Sequence, residues 1–404
     1  MSGGSPPPID ILADRRGALV RVAVLTGGRL SDLYLDRMDR PALAGAVVAG
    51  RVDRIQAGLN AAFVDLGGGA MGMLPAQDVR GIATGTSPDG GPPRIGRLLR
   101  AGQTVLVQVK AEGVGGKAAP LTMDVSLPGR FLIHVPHSGG LSVSKRLGDA
   151  REALARRAET LIGAAGWIVR ASALTADDCD LVHEAQALAA LWRRIGEGGA
   201  APAVRLPPPG ALTRALVEHG AGPVRRIAVE DDGLSAAAQG WAESLAPALA
   251  GVVERAPPGL FETVDLDAEL AVLAGRRVPL PGGAFLVIDR TEALTVIDVN
   301  AGERGNPMDV NRDAAAEVAR QLRLRNIGGI VIVDFLNMRA KGEGERLLRT
   351  LSQAVAGDPV QTQVYGVSKL GLVEMTRARR GVTLADALAG TDPLDGLPAE
   401  EHGP

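Results

Sequence analysis

Two apolar stretches in the last third of the chain decide the fold, and each carries an aspartate: LTVIDVN at residues 294–300 and IVIVDF at residues 330–335. Both have the length and the β-branched content of β-strands. Residues 310–325, between them, repeat apolar side chains at the spacing of an amphipathic helix. A strand–helix–strand unit is almost always a right-handed crossover with parallel strands. The sequence therefore predicts that both stretches end at the same edge of one sheet.

Three polar side chains lie at this predicted edge, namely Asp298, Asn300 and Asp334. Ligands of open α/β sheets bind at the carboxyl ends of the strands. Asn300 follows Asp298 by two residues, so strand alternation puts both on one face. Two carboxylates this close repel each other unless a cation lies between them, and Mg²⁺ prefers oxygen ligands. The pattern predicts a Mg²⁺ site; the simpler interpretation is that each aspartate begins a loop or caps a helix.

The composition limits which metal is possible. The chain has one cysteine, Cys179, and five scattered histidines, so it contains no zinc motif of the Cys-x-x-Cys type. Any metal site must be built from oxygen ligands. Oxygen ligands point to Mg²⁺, Mn²⁺ or Ca²⁺. Of these we expect Mg²⁺, for which Mn²⁺ can substitute, and we expect no zinc.

The bulk properties are typical of a globular protein with two to four domains, since 404 residues exceed one ordinary core. No apolar stretch approaches the roughly 20 residues that span a bilayer. The first residues, MSGGSPPP, lack the basic start and apolar core of a secretory signal. We expect a cytoplasmic protein. The net charge of −2 argues against non-specific coating of nucleic acid but leaves room for a local basic patch.

The first third of the chain has the pattern of a β-structure. Alternating apolar and polar residues flank Gly27-Gly28, which indicates a hairpin over residues 17–36. Residues 44–123 continue as short strands separated by glycine-rich turns. Short antiparallel strands at this spacing predict a small barrel, for which an OB-fold is the preferred interpretation.

Several stretches resemble the ribonuclease E/G family, the endoribonucleases of bacterial RNA processing. They are TEALTVIDVN at 291–300, RQLRLR at 320–325, GGIVIVDF at 328–335, AGLNAAFVD at 57–65 and, more weakly, LGLVEMT at 370–376. The resemblance extends from about residue 18 to residue 385.

The resemblance implies an α+β multidomain fold. It assigns residues 18–41 and 210–277 to an RNase-H-like domain, 42–123 to an OB-fold RNA-binding domain, 124–209 to a 5′-sensor-like domain and 278–391 to a DNase-I-like catalytic domain. Residues 1–17 and 392–404 are expected to be disordered tails.

The resemblance also implies roles for single residues. Asp298 and Asp334 fall on the family's Mg²⁺ ligands, and Asn300 falls on the residue that places the scissile phosphate. The RNA-gripping positions of the OB-fold are Phe63, Lys117 and Met73, the last of which is phenylalanine in the family pattern. Without the family, core packing would be the simpler interpretation of Phe63. The 5′-end-sensing positions are Gly129, Lys145 and Arg170.

The chain departs from the family pattern outside the two aspartates. The cysteine-rich zinc-link and the small domain are missing, so we expect a monomer or weak dimer rather than a zinc-linked tetramer. Ala171 stands where a threonine is expected beside Arg170, and Gln361 stands where a basic residue is expected. Losing a hydroxyl and a charge should weaken phosphate capture. We therefore expect weak discrimination between 5′-monophosphate and 5′-triphosphate RNA.

The sequence thus predicts a Mg²⁺-dependent endoribonuclease acting on single-stranded RNA. As the resemblance implies, it would leave 5′-phosphate and 3′-hydroxyl ends and act in processing or decay of rRNA, tRNA or mRNA. The alternative is a catalytically weak or inactive family member that acts as an RNA-binding accessory protein.

Overall fold

The computed structural model describes residues 6–81, 93–113, 117–144, 147–338, 342–379 and 381–389. The chain forms two compact units: Met1–Ile11 with Asp39–Arg255, and Leu12–Met38 with Ala256–Pro404. The four-domain layout expected from the resemblance is finer than this division and stays a prediction. Among the described residues, no helix is both long and apolar enough to cross a bilayer.

Three strands begin the chain: β1 (Ile9–Arg16), β2 (Leu19–Thr26) and β3 (Arg29–Arg37). β2 and β3 pair antiparallel and turn at Gly27-Gly28, where both glycines have positive φ. Glycine adopts this conformation without steric cost. The predicted hairpin is therefore confirmed.

The expected disordered tail over residues 1–17 is wrong for residues 9–16, because these residues form β1. Two of its carboxylates are buried and paired with arginines outside this strand. The Nε of Arg225 donates to Asp10 at 2.9 Å, and the Nε of Arg21 donates to Asp14 at 2.8 Å. Buried charges require such partners, and the proline-rich start of the chain gives no sign of them. Residues 1–5 and the expected tail at 392–404 lie outside the described residues.

A closed five-strand barrel follows. Its elements are β4 (Val47–Gln56), β5 (Ala61–Gly67), β6 (Ala70–Pro75), the one-turn helix α1 (Ile95–Leu98), β7 (Thr104–Val109) and β8 (Ala119–Thr122). β4 pairs with both β5 and β7, and this second pairing closes the barrel. Alternate residues such as Ala62, Val64 and Leu121 fill its core. The predicted barrel is confirmed, and its assignment as an OB-fold stays a prediction.

A small sheet covered by two long helices comes next. The elements are β9 (Leu127–Pro128), β10 (Leu132–His134), β11 (Leu141–Val143), α2 (Ala150–Ile162), β12 (Trp167–Val169), α3 (Asp178–Gly196) and β13 (Ala203–Leu206). Four of the strands form a sheet in the order β11-β12-β10-β9, whereas β13 pairs with β4 of the barrel. Side chains of α2 and α3, such as Leu154 and Leu188, pack into one core with Leu132 and Val169.

The first unit ends with a short α/β segment. It consists of α4 (Ala211–His219), β14 (Val224–Val229), α5 (Asp232–Leu245), α6 (Pro247–Ala250) and β15 (Val253–Arg255). β14 and β15 pair in parallel.

The second unit contains a six-stranded sheet. Its elements are α7 (Leu260–Thr263), α8 (Leu266–Ala274), β16 (Arg277–Pro279), β17 (Phe285–Arg290), β18 (Leu294–Asn300), α9 (Pro307–Leu324), β19 (Gly329–Asp334), α10 (Glu343–Val355), β20 (Thr362–Val367), β21 (Val373–Arg377) and α11 (Leu384–Leu388). The strand order is β16-β17-β18-β19-β21-β20. β18 and β19 are parallel, so the predicted crossover through α9 is confirmed.

The two faces of this sheet differ. One face contributes Ile297, Val331 and Val333 to a core that includes residues of α9 and α10. The opposite face carries exposed large apolar side chains, among them Ile330 (49% exposed) and Tyr365 (60% exposed). The polar residues of the candidate site lie on this second, exposed face.

Candidate functional site

Asp298 of β18 and Asp334 of β19 lie directly opposite each other in the parallel register. Both side chains are exposed, whereas their neighbours Ile297, Val299 and Val333 are buried. Strand alternation therefore directs both carboxylates to the exposed face of the sheet. The juxtaposition expected from the sequence is confirmed.

Asn300 joins this pair. It lies two residues beyond Asp298 on the same face, and its Nδ2 donates a hydrogen bond to Oδ2 of Asp298 at 2.9 Å. A hydrogen bond to a charged acceptor is stronger than a neutral one. Asn300 therefore orients the Asp298 carboxylate.

Buried contacts hold the loops that follow the two strands. Asn311 of α9 is fully buried, donates to the carbonyl of Leu336 (2.8 Å) and accepts from its backbone N–H (2.9 Å). This clamp fixes the chain two residues after Asp334. After Asn300, Arg304 forms an ion pair with Asp313 at 2.7 Å. Neither contact is predictable from a local sequence pattern, because both depend on how α9 packs.

The ligand set fits a hard cation. Among the described residues, no group of three or more histidine, cysteine, aspartate or glutamate side chains is placed to hold a metal. The site offers the two carboxylates with the amide of Asn300. Mg²⁺ is typically bound by one or two carboxylates, with water and substrate phosphate completing its octahedron. A structural zinc site would need four protein ligands, usually with sulfur or imidazole donors.

An arginine guanidinium and an aromatic ring lie on the same face as the aspartates. Phe285 of β17 is directly opposite Asn300, and Val287 is directly opposite Asp298. The guanidinium of Arg277 lies over the Phe285 ring, with its Cζ 3.6 Å from the ring centre. Sequence reasoning missed both residues, since their proximity depends on the register between β16 and β17.

The predicted RNA-gripping residues of the barrel lie on its outer face. Phe63 and Met73 are cross-strand partners, and Arg54 is the partner of Phe63 on the other side. Phe63 and Met73 are partly exposed, between buried neighbours, so core packing does not explain Phe63. The Cζ of Arg54 lies 4.1 Å from the centre of the Phe63 ring. Lys117 is exposed and lies two residues before β8, which pairs with β6.

Two of the predicted 5′-sensing residues contact each other. The Nη1 of Arg170 donates to the backbone carbonyls of Gly129 (2.7 Å) and Val217 (3.1 Å). Ala171 follows Arg170 and is exposed. The third predicted residue, Lys145, lies outside the described residues.

A buried glutamate explains why residue 129 is glycine. Glu184 is fully buried and accepts hydrogen bonds from the backbone N–H groups of Phe131 (2.8 Å) and Leu132 (2.9 Å). A Cβ on Gly129 would lie 2.4 Å from Oε1 of Glu184. Burial raises the pKa of Glu184, although the N–H donors and Arg130 oppose this shift. Glu184 thus shapes the segment that carries Gly129.

Gln361, where the resemblance expects a basic residue, lines a cavity of about 370 Å³ in the second unit. Tyr365 and Arg379 line the same cavity. A basic side chain is therefore present near Gln361, although at a different position in the chain.

The chain is similar to known proteins over most of its length. The model of the "Ribonuclease E/G family" matches residues 126–380. Ribonuclease G of Escherichia coli K12 is 32% identical over 95% of this chain and 82% of its own length. Ribonuclease G of Haemophilus influenzae is 29% identical over 92% of this chain and 80% of its own length. Ribonuclease E of a Nostoc species is 31% identical over 87% of this chain but 53% of its own length.

These matches, with the carboxylate pair at a sheet edge, define the class: the chain is an endoribonuclease. It belongs to the ribonuclease E/G family, because the family model covers more than half of it and a relative above 30% identity spans nearly all of it.

Proposed function

We propose that this protein is a Mg²⁺-dependent endoribonuclease that cleaves single-stranded RNA and leaves 5′-phosphate and 3′-hydroxyl ends. The observation that carries the proposal is the register that sets Asp298 directly opposite Asp334 on the exposed face. Family membership supports the reaction class. The oxygen-only ligand set supports the metal.

Asp298 and Asp334 would hold the metal, and Asn300 would act on both protein and substrate. When bound, Mg²⁺ supplies charge stabilisation for the phosphoryl transition state and lowers the pKa of water. The Nδ2 of Asn300 keeps the Asp298 carboxylate in one orientation, and the rest of the amide is suited to orient a phosphate. The exposed face leaves room for an extended strand of RNA.

Single-stranded RNA would also bind to the barrel. Phe63 presents an aromatic face, which Arg54 extends as a cationic plane. Bases stack on aromatic rings and guanidinium planes without sequence preference. Met73 and Lys117 add an apolar contact and a positive charge.

The biological setting is proposed from family membership alone. We infer a role in processing or decay of rRNA, tRNA or mRNA in the cytoplasm. We also propose a monomer or weak dimer.

The experiment is cleavage of an RNA labelled at its 5′ end, with the protein in Mg²⁺, in Mn²⁺ and in EDTA. We expect cleavage with either metal and none in EDTA. The 3′ fragments should accept ligation at a 5′-phosphate without prior kinase treatment. Fragments that carry 5′-hydroxyl ends, or cleavage that persists in EDTA, would contradict the proposal. RNA binding without cleavage in every condition would support the inactive accessory protein.

A further inference from the structure

We propose that Arg277 and Phe285 form a nucleotide-binding subsite beside the aspartates, which takes the base and a phosphate of a nucleotide near the scissile bond. The inference rests on the proposed function, because it requires RNA to be held at Asp298 and Asp334. It assigns a positioning role to two residues that no motif of the chain identified.

The subsite is defined by two cross-strand rows on the exposed face. The first row consists of Asp334, Asp298, Val287 and Arg277, each directly opposite the next. Neighbouring strands are about 4.8 Å apart, so the backbone of Arg277 lies roughly 10 Å from that of Asp298. A strand of RNA held at the aspartates would therefore pass Arg277 within a few nucleotides.

The second row brings an aromatic ring into the same region. It consists of Asn300, Phe285 and Pro279. Residues directly opposite each other have Cβ atoms about 4.5–5.5 Å apart. The Phe285 ring therefore lies next to the residue proposed to place the phosphate, and the Arg277 side chain crosses from the first row to cover this ring.

Arg277 differs from its neighbour Arg276 in its partners. Arg276 is held by Asp289 through two hydrogen bonds of 2.6 Å, and this arginine lowers the pKa of Asp289. Within the described part of the chain, Arg277 has no carboxylate partner, although it is exposed and its row contains Asp298 and Asp334. Its guanidinium is stacked on Phe285 with N–H donors available for a phosphate.

This arrangement matches the way proteins bind single-stranded nucleic acid. Bases stack on aromatic side chains or on guanidinium planes, and arginine donates to phosphate. A purely structural role is the competing explanation, because β16 is an edge strand and charged residues protect sheet edges from aggregation. The two explanations predict different effects on RNA.

The first test compares three variants: Phe285→Leu, Arg277→Gln and, as the matched control, Arg276→Gln. We expect kcat/KM on a single-stranded RNA to fall roughly 5- to 160-fold in Phe285→Leu, the range found when one stacking contact is removed. Arg277→Gln should lower kcat/KM and reduce the slope of log KM against log salt by about 0.7, the value for one phosphate contact on a single strand. Arg276→Gln should retain the wild-type slope and rate.

The second test uses RNAs with one abasic nucleotide, placed in turn at each position around the cut. At one position, the abasic nucleotide should lower the cleavage rate of the wild type by the same factor as the Phe285→Leu substitution lowers it on intact RNA. The same abasic RNA should not lower the rate of the Phe285→Leu variant any further. Two results would overturn the subsite. One is an equal loss of kcat/KM in Arg276→Gln and Arg277→Gln. The other is that, at every abasic position, the effects of the abasic nucleotide and of Phe285→Leu on the cleavage rate multiply. If the wild type itself shows no Mg²⁺-dependent cleavage, the proposed function fails and not the subsite alone.

Discussion

Asp298 and Asp334 face each other across two parallel strands, although the 18-residue helix α9 lies between them in the chain. Two exposed carboxylates in direct register repel each other, and a bound cation relieves this repulsion. The metal proposed for this site should therefore affect the folded state as well as the reaction.

Mg²⁺ should stabilise the folded protein through these residues. A ligand that binds only the folded state at ten times its dissociation constant adds about 1.4 kcal/mol to the free energy of unfolding. We expect the thermal midpoint of the wild type to rise with Mg²⁺ and that of Asp298→Asn to stay constant. Asp289→Asn is the control, since Asp289 belongs to an exposed ion pair on β17. An equal response of all three proteins would place the bound Mg²⁺ elsewhere.

RNA affinity should depend on the outer face of the barrel. Phe63→Leu should weaken binding of a short single-stranded RNA by about 1–3 kcal/mol, the value of one stacked base. Met73→Phe should strengthen it, because it adds a second ring directly opposite Phe63. Fluorescence anisotropy in EDTA measures both without cleavage. Unchanged affinity in Phe63→Leu would mean that RNA does not contact this face.

Discrimination at the RNA 5′ end should be weak. Arg170 is present, but Ala171 beside it offers no hydroxyl. We expect cleavage rates for 5′-monophosphate and 5′-triphosphate RNA to agree within a few-fold, and Ala171→Thr to increase the monophosphate preference. Competition between the two RNAs in one reaction measures the ratio directly. A large preference in the wild type would show that Arg170 and its surroundings suffice.

The stability of the first unit should fall in mild acid because of His134. This side chain is buried, its Nδ1 lies 3.0 Å from the carbonyl of Gly166, and its ring lies 4.4 Å from that of Trp167. Burial lowers the pKa of His134 below its usual value of 6.5. Between the lowered pKa and pH 6.5, the unfolded chain binds a proton at His134 that the folded chain does not bind. The contribution of neutral His134 to the free energy of unfolding is therefore fully present above pH 6.5 and is lost as the pH falls toward the lowered pKa.

Urea unfolding of the wild type and of His134→Gln across this pH range tests the effect. The glutamine does not titrate and keeps an N–H donor for the carbonyl of Gly166. The wild type should lose more unfolding free energy than the variant between neutral and acidic pH. Parallel pH profiles would show that another group controls acid stability.

Much of the six-stranded sheet of the second unit could be predicted from sequence, because its signals are local. The helical spacing of apolar side chains in α9, with a β-branched strand on each side of it, predicts a parallel crossover. The alternation of side chains along β18 then puts Asp298 and Asn300 on the same face. The hairpin at Gly27-Gly28 and the barrel strands were also predictable, since turns and apolar alternation mark them.

The remaining features depend on side-chain contacts that no local sequence pattern marks. β1 is stabilised by ion pairs from Asp10 to Arg225 and from Asp14 to Arg21, and the tail-like composition before it hides the strand. Arg54 on Phe63 and Arg277 on Phe285 meet only because of strand register. These contacts follow from the pairing of strands and not from any sequence motif.

The most direct test of the metal site is cleavage of an end-labelled single-stranded RNA by the wild type, Asp298→Asn and Asp334→Asn at saturating Mg²⁺. Each substitution keeps the shape of the side chain and removes the charge. A metal supplies several kcal/mol of transition-state stabilisation, so each variant should be slower by at least about 100-fold while its RNA affinity in EDTA stays that of the wild type. Cleavage at the wild-type rate by either variant would contradict a catalytic metal site at Asp298 and Asp334.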